Sequence, residues 1–353
     1  MGKIILESVF LFIDFNFAEE WGRKAYNLAC YQQKEVIQIT MNHSFAIMTD
    51  TTAEISTKLQ ERFHIDEVLH AHINTPDKGD CISDNDWILY PDPNEFYRQL
   101  SGDKKLEFST SPCNPDEIKA AVRKYFDKGI DVLYLSLSSA LSGTYDFAVQ
   151  AKKELLEEYP GRKLIVVDTY RYSLAIALLC IKAAEKREEG KSIEEVEAYI
   201  HEIKNTLHEA GPMDDLFFLA RKGRVAKGAA FMGTLVGVKP IGDFDREGKT
   251  KVFAKAVGLK KAIDVCTEYV KRTIVNPEEQ IIFVAHTDRE KPANLLKDAI
   301  MKEVKPKEII LVECGPSIGI NVGPGLYAAF YFGKEISEGN VEEEKIMKEI
   351  MGK

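Results

Sequence analysis

The sequence predicts an α/β protein. Short β-branched runs alternate with amphipathic segments, several of those runs are apolar throughout as strands buried on both faces must be, and hydroxyl-rich turns follow them. At 353 residues the chain is more than twice a typical single-core size, which predicts two domains that fold without metal or disulfide staples.

The expected strands are "FAIMTD" (45–50), "DVLYLSLS" (131–138), "KLIVVD" (163–168), "DLFFLA" (215–220), "QIIFVAHT" (280–287) and "EIILVEC" (308–314). Between them the helices carry their own punctuation. Asn114 as N-cap, Pro115 in the first turn and Gly129 at the end frame "DEIKAAVRKYFDK". Ser192 and Glu195 make a capping box, and Ile193, Val196, Ile200, Ile203 and Leu207 form one apolar stripe that runs until Gly211-Pro212 stops the helix. That stop is the expected boundary between an N-terminal domain, 45–210, and a C-terminal domain, 211–353. Beyond it, "VKPIGDFDREGKTKVFAKAVG" reads as a hairpin with Gly248 in its polar turn. Residues 1–44 are read as an accessory N-terminal extension, the alternative being an upstream stretch ahead of a start at Met41.

Charge and cysteine usage exclude several functions. With 47 Lys and Arg against 56 Asp and Glu, the net charge of −9 offers no basic face for phosphates, so no nucleic-acid partner is expected. The six cysteines are scattered and never paired as C-x-x-C, which argues against zinc and against a disulfide framework. The apolar opening is interrupted by Glu7 and Asp14 and lacks a cleavage site, so a soluble cytoplasmic protein is expected.

Phosphate and metal motifs fail on spacing. "GDFDREGKT" (242–250) has its glycines one residue too far apart for a P-loop, and its EF-hand-like acids end at Ala254, where calcium needs a carboxylate. "GRVAKG" (223–228) runs on into Ala229-Ala230 and lacks the phosphate lysine. His70 and His72 share one strand face, but no third ligand accompanies them. No metal and no cofactor is expected.

One stretch exceeds what helix capping needs. "LSLSSALSGTYDFA" (135–148) begins as a buried strand and ends as a helix, so Ser142, Gly143 and Thr144 fall at a helix N-terminus, where free N–H groups and the dipole favour an anion. The turn "STSPCNP" (109–115) likewise carries Thr110 and Ser111 beyond its cap. Together with "DTYRYS" (168–173) and "DTT" (50–52), these turns point to one shared crevice.

The stretches "TDTT" (49–52), "TSPCNPDEI" (110–118), "LSSALSGTY" (137–145), "VDTYRYS" (167–173), "ARKGRV" (220–225), "GTLVGVKPI" (233–241) and "VGPG" (322–325), in this order, resemble the DegV family, also called the EDD fold. The resemblance covers the chain from about Phe45 to about Phe332. It implies a parallel-sheet N-terminal domain, a mixed α/β C-terminal domain and a ligand in the crevice between them. It also implies a bacterial, non-catalytic subunit that encloses one long-chain fatty acid and presents it to the catalytic subunit of a fatty acid kinase, which forms the acyl phosphate. A transient contact with a membrane surface is compatible with that role. The carboxylate site implied is Thr110, Ser111, Ser142, Gly143, Thr144 and Asn321, and the crevice adds Thr51, Asp168, Arg224, Lys239, Val257 and His286. The segments 173–184 and 227–238 supply small and flexible residues for an acyl tunnel, although core packing explains them equally well.

Two positions depart from the family. Val257 stands where an arginine is common, and Asn321 where a histidine is common, so the two cationic partners of the carboxylate are absent. Neutral donors bind a carboxylate less strongly, which leaves an uncharged lipid as an alternative ligand unless Lys239 or Lys260 substitutes. A serine hydrolase using Ser142, Asp168 and His286 is a further alternative from their chain order, although Ser142 lacks a G-x-S-x-G elbow. A pure interaction module is the third.

Overall fold

Strands that bury both faces need apolar residues throughout, and Phe45–Asp50, buried at every position, forms the first strand, β1. The computed structural model describes residues 43–352 except positions 215, 222 and 225–236. Nearly all of the expected extension 1–44, and most of 227–238, therefore lie outside the described residues.

After β1 come α1 (Thr57–Arg62), β2 (Glu67–Leu69), β3 (His72–Thr75), β4 (Gly79–Ile82), α2 (Pro93–Leu100) and β5 (Ser109–Ser111). They are followed by α3 (Pro115–Phe126), β6 (Asp131–Ser136), α4 (Thr144–Glu158), β7 (Leu164–Asp168), α5 (Leu174–Glu188) and α6 (Ile193–Ile203). The remaining elements begin with β8 (Leu207–Pro212), α7 (Phe217–Arg221), β9 (Val238–Phe244), β10 (Thr250–Val257) and α8 (Leu259–Thr273). The chain then closes with β11 (Ile281–His286), α9 (Glu290–Glu303), β12 (Glu308–Glu313), α10 (Pro316–Val322), β13 (Tyr327–Phe332) and α11 (Val341–Met351).

The α/β class and the pairing of a parallel with a mixed sheet are as expected. Strands β2-β1-β6-β7 form an all-parallel sheet, and β10-β9-β8-β13-β11-β12 form a mixed one in which only β11 and β12 run parallel. A small antiparallel sheet, β4-β3-β5, sits beside them. Helix α5 lies between the two large sheets. Leu174 through Ile181 are all buried, and one apolar core joins Leu133 and Val167 of the parallel sheet to Phe283 and Phe330 of the mixed sheet through it. The outer faces are covered by α3 and α4 on one side and by α8, α9 and α11 on the other. Among the described residues, no helix is long and apolar enough to cross a membrane.

Caps behave as read. Asn114 with Glu117, and Ser192 with Glu195, form reciprocal capping boxes. Two expectations are corrected. The strand expected at 215–220 is not formed among its described residues: Phe217–Arg221 is a short helix, since an apolar run this brief fits either state. Nor does Gly211-Pro212 end a helix. Helix α6 stops at Ile203, and Gly211 and Pro212 close strand β8, where a Cβ on Gly211 would overlap Ala328 of the neighbouring β13.

The predicted hairpin exists as β9 and β10, and its turn positions the site. Gly248 has a φ of +84°, and a Cβ there would overlap Ser138 Oγ, so the hairpin tip is pressed onto the serine-rich loop that leaves β6. Gly161 shares the left-handed backbone, with a φ of +96°, but has nothing within 4 Å of its Cβ position. Gly161→Ala should cost about 1–2 kcal/mol for the backbone alone. Gly248→Ala should cost clearly more, as read by urea unfolding, and equal losses would show that the tip is not tightly seated.

Candidate functional site

The parallel strands aim their carboxyl ends at one place, which is where α/β proteins gather ligand-binding loops. There Asp50 at the end of β1 and Thr52 beyond it, the loop Leu137–Thr144 after β6, and Tyr172 and Ser173 after β7 enclose a cavity of about 230 Å³. Helix α10 closes it with Ser317, Ile318, Asn321 and Val322, and β5 contributes Thr110 and Ser111. Much of the remaining wall is apolar, including Met213, Leu219, Leu326 and Phe330.

Of the expected carboxylate-site residues, Thr110, Ser111, Ser142, Gly143, Thr144 and Asn321 all border this cavity. Asn321 Nδ2 donates to Thr110 Oγ1 at 3.0 Å and to the Ser317 carbonyl at 2.8 Å. Ser142 Oγ lies 2.9 Å from Thr144 Oγ1 and accepts from the Thr144 amide at 3.3 Å. Ser111 and Gly143 are exposed, whereas Thr110, Ser142 and Asn321 are partly buried, so this hydroxyl group forms the mouth. The first turn of α4 stands at the same mouth without a side-chain cap on Gly143, so its dipole favours negative charge there.

The wider crevice set divides. Arg224 lines the cavity, the sole basic side chain to do so among the described residues. Thr51 stands just behind the wall, accepting from the Ala71 amide at 3.1 Å and facing Ser317 Oγ at 3.4 Å. Asp168 braces the loops instead, accepting from the Ser139 and Tyr170 amides at 3.2 and 3.1 Å. Lys239 is ion-paired to Asp214, Val257 is 72% exposed, and His286 sits on β11 with Nδ1 3.8 Å from Glu313; none of the three borders the cavity. Lys260 is exposed and paired with Asp264. No hydrogen bond joins Ser142, Asp168 and His286, so the hydrolase arrangement is not assembled.

The glycines of "GPG" have steric work beside this wall. Gly323 has a φ of +77°, and a Cβ on it would strike the Phe218 ring of α7, while Gly325 is crowded by Asp214.

Sequence reasoning missed the buried carboxyls. Asp50 lines the cavity, and burial raises its pKa against hydrogen bonds from Thr52 and from Tyr134, the latter at 3.2 Å. Glu209 of β8 also lines it, and burial pushes this carboxyl up to about 8 despite a hydrogen bond from Tyr172. Glu54, beneath the wall, is likewise pushed up to about 8 by burial, although its Oε2 accepts the Gly315 amide at 2.7 Å. No local pattern marks these acids, because their burial is created by segments distant in the chain. His70 and His72 serve structure: His70 Nδ1 faces the Ser83 carbonyl and His72 Nε2 faces Glu117, both at 2.8 Å.

Comparison with known proteins follows the same lines. A family model described as an uncharacterised protein of the DegV family matches residues 44–334. A DegV domain-containing protein of Clostridium perfringens is 35% identical over 289 residues, covering 82% of this chain and 97% of its own. A solved Thermotoga maritima protein, described as revealing a fatty acid binding function, is 27% identical with a TM-score of 0.68, covering 82% of this chain and 100% of that one. DegV of Bacillus subtilis, described as a fatty acid binding protein, is 26% identical with a TM-score of 0.69, covering 83% and 100% respectively.

Glu54 yields a test of this geometry. Its folded pKa of about 8 lies above the ordinary glutamate value of 4.5, so its contribution to stability is fully present below the lower value and is lost as pH rises through the upper one. Glu54→Gln keeps an acceptor for the Gly315 amide and removes that loss. Calorimetry should show the variant gaining in Tm relative to the parent from about pH 5 to about pH 8, and parallel curves would refute the buried neutral carboxyl.

Proposed function

The chain belongs to the DegV family, and from that premise we propose that its cavity encloses one long-chain fatty acid with the carboxylate at the Thr110, Ser142 and Asn321 mouth. The observation that carries this reading is a single cavity joining hydroxyl donors and one guanidinium to a largely apolar wall at the carboxyl ends of parallel strands. Arg224 supplies the cation whose absence at Val257 and Asn321 the sequence signalled, and it favours an ionised headgroup over an uncharged lipid. In this reading the protein carries out no chemistry itself. It presents the carboxylate at the exposed mouth to a separate fatty acid kinase catalytic subunit, which converts it to the acyl phosphate.

Long acyl chains bury methylenes at ~0.8 kcal/mol each, so the ligand should survive purification. Mass spectrometry of an organic extract should find one dominant acyl species, and an extract without any would overturn the reading. Acyl phosphate should form from ATP only when the kinase subunit is added, and its formation without that subunit would refute the non-catalytic role.

Thr110→Val and Ser142→Ala should each weaken fatty acid binding by about 1–2 kcal/mol, because each removes a hydrogen bond to a partly buried oxygen. Variants that melt earlier yet bind normally would show that these hydroxyls only support the fold. Arg224→Met should weaken binding more at about pH 8 than at about pH 5, since only the ionised acid loses a charge partner. An equal loss at both pH values would place Arg224 away from the headgroup.

A further inference from the structure

The cavity has a second polar group, distinct from its mouth. Tyr172, Glu209 and Thr250 all border it, and no hydrogen bond connects them to Thr110 or Asn321. Glu209 on β8 is 5% exposed and Thr250 on β10 is 7% exposed, whereas Ser111 at the mouth is exposed. The cavity therefore holds a second polar group that is separate in its hydrogen bonding from the Thr110–Asn321 pair.

The buried group is incompletely satisfied by the protein. The Tyr172 hydroxyl donates to Glu209 Oε2 and lies against Thr250 Oγ1, while Glu209 Oε1 has no hydrogen-bond partner among the described residues. With its pKa pushed up to about 8, this carboxyl carries a proton at neutral pH and offers both a donor and an acceptor. A plain methylene chain laid against it would exclude water and return no hydrogen bond, which is costly for a buried polar group. An oxygen on the chain would complete the set.

We propose that the acyl ligand carries an oxygen function along its chain, a hydroxyl or keto group, and that Glu209 with Tyr172 and Thr250 selects for it. This rests on the reading of the cavity as a fatty-acid site. Specificity of this kind comes from penalising the ligand that leaves a buried polar group unpaired.

The test is equilibrium binding of stearic acid and of monohydroxystearic acids, with the hydroxyl moved stepwise along the chain, to the delipidated full-length protein. One isomer should bind at least ~10-fold more tightly than stearic acid, equivalent to about 1.4 kcal/mol. Glu209→Leu should erase that preference, so that stearic acid and the favoured isomer bind alike, and Glu209→Gln, which still donates and accepts, should keep it. Should Glu209→Leu fail to fold, the near-isosteric Tyr172→Phe and Thr250→Val should each narrow the preference. Equal binding of stearic acid and every hydroxy acid by the parent overturns this proposal and leaves the acyl site standing. A preference that persists in Glu209→Leu also overturns it, and failure of every acid to bind overturns both readings.

Discussion

The wall of the cavity depends on a carboxyl buried against an amide. Glu54 follows the short turn after β1 in a left-handed conformation, with a φ of 58°, and its Oε2 accepts the Gly315 amide that precedes α10. That bond ties the exit of the parallel sheet to the helix bearing Ser317 and Asn321. Neighbouring contacts reinforce it: the Tyr97 hydroxyl donates to the Cys314 carbonyl at 2.5 Å, and Asn85 Nδ2 donates to the Thr51 carbonyl at 3.0 Å. Glu54 Oε1 is buried without a partner, so the carboxyl is tolerated there mainly in its neutral form. A charged side chain at this place would demand a cation, and among the described residues Glu54 has no ion pair.

The same constraint sets the chemistry of the cavity. Asp50 and Glu209 line it, and burial raises the pKa of both, so the interior tends towards neutral acids rather than towards a field of fixed negative charge. At the mouth the hydroxyls and the uncapped start of α4 favour negative charge instead. The stretch 173–184, read from the sequence as either tunnel lining or core, packs as core. Helix α5 spends its apolar sides on the two sheets, and of that stretch only Ser173 borders the cavity, so the wall falls instead to residues such as Met213, Leu326 and Phe330.

What was legible in the sequence was written within a few residues of itself. The strand runs at 45–50, 131–136, 164–168, 281–286 and 308–313, the capping boxes of α3 and α6, and the hairpin around Gly248 each follow from periodicity, cap chemistry or turn chemistry that neighbours enforce. The surplus of hydroxyls at 110–111 and 142–144 was equally visible, because a helix start needs fewer of them than the chain supplies.

Tertiary structure decided the rest. It made a helix of Phe217–Arg221, packed closely against Gly323, and a strand of the segment ending in Gly211-Pro212, packed closely against Ala328. Strands β3, β4 and β5 are too short and too polar to be recognised until they pair. Thr110 meets Asn321 across 211 residues and Glu54 meets Gly315 across 261, and the Tyr172–Glu209–Thr250 group likewise joins separate elements. The sequence by itself determined the strands, caps and hydroxyl-rich turns, whose causes are local sterics and hydrogen bonds. Which acids lose their solvent, and which side chains share one cavity, was decided only when distant segments packed together, since desolvation belongs to the folded assembly of elements and to no single stretch of chain.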